Sequence, residues 1–352
     1  VTTTNELTLK DYGWGAHFQA QLSDDDMAAL PVRVMAVHRD VLEVAGPAFE
    51  GRVQPLFGGD ETTVATVGDW VLIDAAAHRV QRVLTRRSLF KRKAAGKDRR
   101  AQLLAANVDT LLFVTSANDD FNLPRLERYL ALAAEAEVTP VVVITKADLA
   151  ADVINDYVVP TRALMAGLIV EAFDARDAKG VMSLAPWFGS GQTLALLGSS
   201  GVGKSTIVNT LAGHALQQTQ GIREDDGKGR HTTSSRSLHR LPTGAWIMDT
   251  PGMRELQIVD IADGLKEVFA DVAALAAACR FSDCTHDKEP GCAVQAALAD
   301  GTLEPERLVR FQKLQREDRR NSESLAVAHA RNKKFGRMAK RTFEQKLKNR
   351  EW

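Results

Sequence analysis

Between residues 31 and 84 apolar and polar positions nearly alternate, first in "VRVMAVHRDVLEVAG", then in "TTVATVGDWVLIDA" and "HRVQRVLTR". Period-two patterning rich in Val, Ile and Thr builds strands with one buried face, and the Gly- and Pro-containing turns between these segments keep them short and antiparallel. Several such strands close together predict a small barrel. Past residue 100 the alternation gives way to solid apolar runs. "DTLLFVTSA" reads as a strand and "LPRLERYLALAAEA" as a helix. "TPVVVITKADL" reads as a buried strand with a polar end, and "LALLGSSGVGKSTIVNTLAG" as strand, loop and helix. Strands buried on both faces and alternating with helices predict a parallel sheet covered by helices. After about residue 262 the chain is Ala- and Leu-rich and helical, broken once by a cluster of Cys and His.

A chain of 352 residues is too long for one compact core. The changes of texture divide it into an N-terminal extension (1–30), a β-barrel (31–98), a central α/β domain (99–262) and a mainly helical C-terminal domain with a basic tail (263–352). The composition, 45% hydrophobic and 26% charged, is that of a soluble globular protein, and no apolar run approaches the roughly 18 residues of a membrane span. The start, "VTTTNELTLKDYGW", has no basic-then-apolar signal segment, so a cytoplasmic location and no membrane partner are expected; a monomer is expected as well. The formal net charge of zero hides a distribution. From Glu304 to Trp352 there are 15 Lys/Arg against 7 Asp/Glu, an excess of eight, and "RRSLFKRKAAGKDRR" (86–100) carries eight Lys/Arg and one Asp. One such run is an ordinary solvated face; two in one chain point to a polyanionic partner.

The sharpest motif is Gly198-Ser199-Ser200-Gly201-Val202-Gly203-Lys204-Ser205, followed by Thr206, a complete G-x-x-x-x-G-K-[ST] loop behind an apolar strand and ahead of a helix. Its glycines let backbone N–H groups converge on phosphates, and the helix adds its positive N-terminal end. Lys204 is expected on the β- and γ-phosphates and Ser205 on Mg²⁺. Downstream, Asp249-Thr250-Pro251-Gly252 closes another apolar strand: the carboxylate can hold Mg²⁺ through water, and the Gly252 N–H can sense a γ-phosphate. Between the two lies "GRHTTSS" (229–235), whose Thr232 and Thr233 are both candidates for Mg²⁺.

The base-reading element precedes the phosphate loop. Thr145-Lys146-Ala147-Asp148 is close to the N-K-x-D by which GTPases read guanine. Asp148 can accept from both guanine N1–H and the 2-amino group, whereas adenine would set an acceptor against the carboxylate. Reordering is physically permissible, because such a sheet binds ligand at the C-terminal edges of its strands, and cutting the chain elsewhere leaves those edges together. The order predicts a circularly permuted GTPase.

Farther on, "CRFSDCTHDKEPGC" places Cys279, Cys284, His286 and Cys292 within fourteen residues, three thiolates and an imidazole, which is a closed tetrahedral set for one structural Zn²⁺.

Taken in order, "ITKADL", "GSSGVGKST", "GRHTT", "DTPGMREL" and the cysteine cluster resemble the RsgA/YjeQ family of ribosome-biogenesis GTPases over nearly the whole chain. The resemblance implies an OB-fold barrel, a permuted GTPase domain and a zinc-bearing domain. It also implies GTP/GDP with Mg²⁺, and hydrolysis stimulated by the small ribosomal subunit and its rRNA late in that subunit's maturation. Two departures stand out. Thr145 replaces the usual Asn, removing an amide that could bond the base and support the phosphate loop, and Asp174-Ala175 in "FDARDAKG" replaces the frequent Ser-Ala. Met253, beside D-x-x-G, cannot orient a water, so intrinsic turnover is expected to be slow. His231 is the natural substitute, and the resemblance gives it a catalytic role. Two other classes fit parts of the pattern: a nucleotide-gated rRNA-binding scaffold with incidental turnover, and an ATP-using P-loop protein.

Overall fold

The computed structural model describes residues 7–56, 62–93, 101–212, 236–249 and 261–322. His231, Thr232, Thr233 and Gly252 lie outside them, as does the tail beyond residue 322. Thirteen strands and nine α-helices are formed among the described residues. After a 3₁₀ turn at Leu9–Tyr12 come the one-turn α1 (Ala16–Gln19), then β1 (Leu30–Val37), β2 (Leu42–Gly46), β3 (Phe49–Val53), β4 (Trp70–Asp74) and β5 (Arg79–Val83). A two-stranded antiparallel ribbon follows, β6 (Leu89–Lys93) with β7 (Ala101–Ala106). Next come β8 (Thr110–Ser116), α2 (Leu123–Glu135), β9 (Thr139–Thr145), α3 (Asn155–Arg162), β10 (Ile169–Ala172), α4 (Ala178–Val181), β11 (Thr193–Leu197) and α5 (Lys204–Ala212). The rest is β12 (Arg236–Arg240), β13 (Trp246–Asp249), α6 (Ala262–Val268), α7 (Ala270–Ala277), α8 (Ala293–Ala299) and α9 (Pro305–Ser322).

The first five strands close on themselves. β1 pairs with β2 and β4, β2 with β3, and β4 with β5, all antiparallel. A parallel bridge between Gln54, just past β3, and Arg79 completes the ring. Alternate residues Val32, Val34, Leu42, Val44, Val53, Val71, Ile73 and Val80 point inward and form a separate apolar core, as period-two patterning requires.

β10, β9, β8, β11 and β13 lie side by side in that order, all parallel, and β12 adds an antiparallel strand. Both faces of this sheet are buried. Leu111, Phe113, Val142, Ile144 and Leu197 share one core with Leu126 and Leu130 of α2 and Leu265 of α6. Leu112, Val114, Val141, Val143, Leu194 and Ile247 share another with Ile207 and Val208 of α5. Solid apolar strands therefore follow from two covered faces. α2 starts where Asn122 accepts the Arg125 N–H at 2.9 Å, with Pro124 in its first turn.

Barrel and sheet are not separate layers. β1 also pairs with β12, in the register Ala36↔Ser237 and Val37↔Arg236, so one eleven-stranded sheet runs through both. Arg33 pins the junction. It lies on β1 facing away from the barrel core, 1% exposed, and donates to Tyr12 O and Thr193 Oγ1, both at 2.6 Å. Burial pushes its pKa down to about 10, which leaves it charged at neutral pH. Residues 7–29 belong to the packed body: Tyr12 stacks on Trp246 with centroids 5.4 Å apart, and the Trp246 indole donates to Asp11 O at 2.8 Å.

The first basic run is partly structural. Leu89–Lys93 is the strand β6, Arg86 is paired with the buried Asp69 at 2.7 Å, and Arg87 with Asp109 at 2.7 Å. The C-terminal helices dock on α2 through another buried charge. Glu127, fully buried, takes Arg307 at 2.7 Å and Arg310 at 2.8 Å, while the Arg307 guanidinium lies 4.1 Å from the Phe269 ring centroid. Gly264 permits the close contact of α6 with α2, since a Cβ there would stand 2.1 Å from Ala131 O. Among the described residues no helix is long and apolar enough to cross a membrane.

Candidate functional site

Because β9, β8, β11 and β13 are parallel, their C-terminal ends, Thr145, Ser116, Leu197 and Asp249, share one edge of the sheet. The phosphate loop leaves that edge from β11. Gly198, Gly201 and Gly203 have φ of 149°, 76° and 96°, values that favour glycine. At Gly198 the requirement is also steric, since a Cβ would meet Val114 O at 2.1 Å. Val202 is buried beneath the loop, and Lys204 donates to Gly198 O at 2.8 Å and to Ser199 O. Ser205 and Thr206 fall in the first turn of α5, whose start is fixed by the Ile207 N–H donating to Gly203 O at 2.9 Å. The loop thus has the build that gathers N–H groups around phosphate.

Thr145 and the residues after it reach the phosphate loop directly. The Thr145 hydroxyl, 1% exposed, lies 2.6 Å from Val202 O and 3.0 Å from Thr115 O. The support that an Asn side chain would give is therefore supplied by a hydroxyl. Lys146 adopts a left-handed backbone, φ 57°, and turns the chain into two short 3₁₀ turns kinked at Ala150, spanning Ala147–Val153, with Asp148 in the first. Left-handed backbone at a non-glycine residue is uncommon and gathers at functional sites.

A third loop completes the edge. After β10, Phe173 donates its N–H to Ile144 O at 3.1 Å, and Thr210 of α5 donates to Ala175 O at 2.9 Å. A Cβ on Gly203 would lie 3.4 Å from both the Ala175 Cβ and Thr145 Cγ2, so the three loops meet there. Asp148 accepts from Arg176 Nη2 at 3.1 Å, and Arg176 also holds Asp174. Arg176 was not among the sequence candidates. The only signal for it was the aspartate two residues earlier. Asp249 takes its place as the last residue of β13, its backbone in register with Ser237.

Cys279 follows the end of α7, and Cys292 caps the start of α8, its Sγ accepting the Gln295 N–H at 3.4 Å. Cys284 and His286 lie on the intervening loop, His286 at φ 62° with its carbonyl accepting Gln295 Nε2 at 2.6 Å. Glu289 ties that loop together by accepting the N–H groups of Thr285, Asp287 and Lys288 at 2.8, 2.9 and 3.1 Å. The four ligand atoms all fall within 4.8 Å of one another. Cys279 and Cys292 Sγ are 3.8 Å apart, and each is 3.6 Å from His286 Nδ1. A zinc tetrahedron with Zn–S of about 2.3 Å and Zn–N of about 2.05 Å has S···S edges of roughly 3.8 Å and S···N edges of roughly 3.6 Å. Cys279, Cys292 and His286 match three edges of such a tetrahedron, and with Cys284 inside the same 4.8 Å the set is consistent with one such ion.

A glycine-rich phosphate loop, with a T-K-A-D strand two places away in the sheet yet earlier in the chain, defines a P-loop nucleotide-binding protein of permuted order. The comparisons make the class specific. The model of the RsgA GTPase family matches residues 83–259. The small ribosomal subunit biogenesis GTPase RsgA 2 of Vibrio vulnificus is 47% identical over 351 residues, 99% of each chain. The small ribosomal subunit biogenesis GTPase RsgA of Mesorhizobium japonicum is 50% identical over 326 residues, 92% of this chain and 93% of that one. Among solved structures, YjeQ from Thermotoga maritima superposes with a TM-score of 0.60 at 25% identity, over 81% of this chain and 97% of its own. YloQ, described as a circularly permuted GTPase, shares the fold with a TM-score of 0.56 at 21% identity, over 86% of this chain and 99% of its own. The chain belongs to the RsgA GTPase family and is a GTP-hydrolysing enzyme.

Proposed function

We propose that this protein is a Mg²⁺-dependent GTPase whose turnover is stimulated by the small ribosomal subunit, acting late in the maturation of that subunit. The observation that carries the reading is the meeting of three loops at one sheet edge: the phosphate loop, Thr145–Asp148 and Asp174–Arg176. The names of the near full-length relatives supply the partner.

In this reading Asp148 reads guanine, Lys146 lies along the base and ribose, and the loop from Gly198 to Thr206 holds the phosphates. Bound with the nucleotide, Mg²⁺ would neutralise phosphate charge. Ser205, Asp249 and one of Thr232 and Thr233 are its candidate holders. Gly252 would sense the γ-phosphate, and His231 would position the attacking water. The strand ring takes the order β1-β2-β3-β5-β4, which supports an OB-fold, whose faces accept single-stranded nucleic acid. That ring, the zinc-bearing helices and the basic tail would contact rRNA, with Lys and Arg on its phosphates. The proposed units are 1–30, 31–98, 99–262 and 263–352, in a cytoplasmic monomer.

The test is GTP hydrolysis by the full chain with and without purified small subunits. The reading expects stimulation of about tenfold or more, lost when large subunits replace small ones. Equal rates with and without small subunits would remove the ribosomal role and leave a GTPase of another purpose.

A further inference from the structure

Arg176 sits between two carboxylates on the nucleotide edge. Its Nε donates to Asp174 Oδ1 at 3.0 Å and its Nη2 to Asp174 Oδ2 at 2.8 Å, a two-point grip on one carboxylate. Asp174 Oδ1 also accepts the Arg176 backbone N–H at 3.0 Å, which closes a tight local ring. The guanidinium plane is therefore set before it meets anything else. From that fixed position Nη2 reaches Asp148 Oδ2 at 3.1 Å.

A lone aspartate on a loop rotates freely about its side-chain torsions, but reading guanine needs both of its oxygens in the plane of N1–H and the 2-amino group. An ionised carboxylate has about four acceptor sites, so one bond to Arg176 leaves the rest for a base. The planar, permanently charged guanidinium suits this holding role. Without the arginine, Asp148 and Asp174 would face each other as like charges. The bonds from Arg176 hold the Asp174 carboxyl below the usual carboxylate range, consistent with both partners being ionised.

We propose that Arg176, locked by Asp174, is a positioning residue that orients Asp148 for the guanine 2-amino group and so sets base selectivity. It rests on Asp148 being the base reader, and it gives Asp174, the residue that departs from Ser-Ala, a function. The Arg176 side chain is 72% exposed, and such pairs contribute little to folding. Its removal should leave the protein folded and act on selectivity.

The test is titration of the full chain with GDP and with IDP, whose base lacks the 2-amino group. Global loosening weakens both ligands alike, whereas loss of orientation weakens GDP more. Arg176→Ala is expected to lower the GDP/IDP affinity ratio by about fivefold or more, with Arg176→Lys restoring part of it. Asp174→Ala should lower the ratio in the same direction, and the double variant should be no worse than Arg176→Ala alone. An Arg176→Ala ratio within twofold of the parent overturns the proposal, as does an equal loss for both ligands. Asp148→Asn separates the two levels. If it shifts preference from GTP to XTP while Arg176→Ala changes nothing, only the positioning role falls; if it does not, the base-reading assignment falls with it.

Discussion

The Thr145 hydroxyl lies 2.6 Å from the carbonyl oxygen of Val202, tying the last residue of β9 to the middle of the phosphate loop. Both residues are buried, at 1% exposure, so this bond is shielded from water. It couples the element assigned to the base with the element assigned to the phosphates, although 57 positions separate them in the chain.

Thr145→Val keeps the shape and removes the donor. The bond is present without nucleotide, so the orphaned carbonyl should cost about 1 kcal/mol of folding stability, a drop of a few degrees in the melting temperature, and the loosened loop should bind GDP up to about fivefold more weakly. Isothermal titration checks this, and an unchanged affinity would make the bond incidental to nucleotide binding.

Arg33→Ala should destabilise the whole protein. The change leaves Tyr12 O and Thr193 Oγ1 without their donor and opens a void between β1 and the first residue of the phosphate-loop strand. A loss of about 3 kcal/mol is expected, read as a clear drop in the thermal midpoint. A midpoint within a degree or so of the parent would mean that barrel and sheet are held by their strand pairing alone.

The phosphate loop, the T-K-A-D strand and the cysteine cluster were legible in the sequence because each is local: a glycine pattern, an apolar run and a ligand spacing that carry their own geometry. The alternating strands were legible for the same reason. The joining of barrel to sheet was not, because β1 and β12 meet over two residue pairs some 200 positions apart. Arg33 was invisible for a related cause: in an alternating strand a charged residue reads as the wet face, and here that face is covered by Tyr12 and Thr193. Leu89–Lys93 lies inside the basic run read as facing a polyanionic partner and is a strand, since its backbone pairs with β7. Arg176 was missed because its role depends on Asp148, 28 positions earlier.

If the cluster holds a structural Zn²⁺, a chelator should release the segment from Cys279 to Cys292 and the start of α8, because the binding energy of a closed zinc site, on the order of 10 kcal/mol, is folding energy for its surroundings. Nucleotide affinity should stay within about threefold, since the cluster takes no part in the three-loop edge. Hydrogen exchange with and without a chelator is the check. Undiminished protection across 279–292 would show that the four side chains hold no structural ion.

His231→Ala should leave nucleotide affinity within about threefold and reduce subunit-stimulated hydrolysis by roughly 10²-fold or more, the range of a lost water-positioning group. Single-turnover hydrolysis on purified small subunits measures it. A stimulated rate within twofold of the parent would take His231 out of the mechanism and leave the water to the ribosome.

If the base is read at the end of β9, by a motif that precedes the phosphate loop in the chain, Asp148→Asn should change which purine the enzyme uses. An amide complements a carbonyl at purine position 2 and no longer accepts from an amine. The expected result is that kcat/KM falls about a hundredfold with GTP and rises with XTP. A GTP/XTP ratio of kcat/KM left unchanged by the substitution would place the base elsewhere.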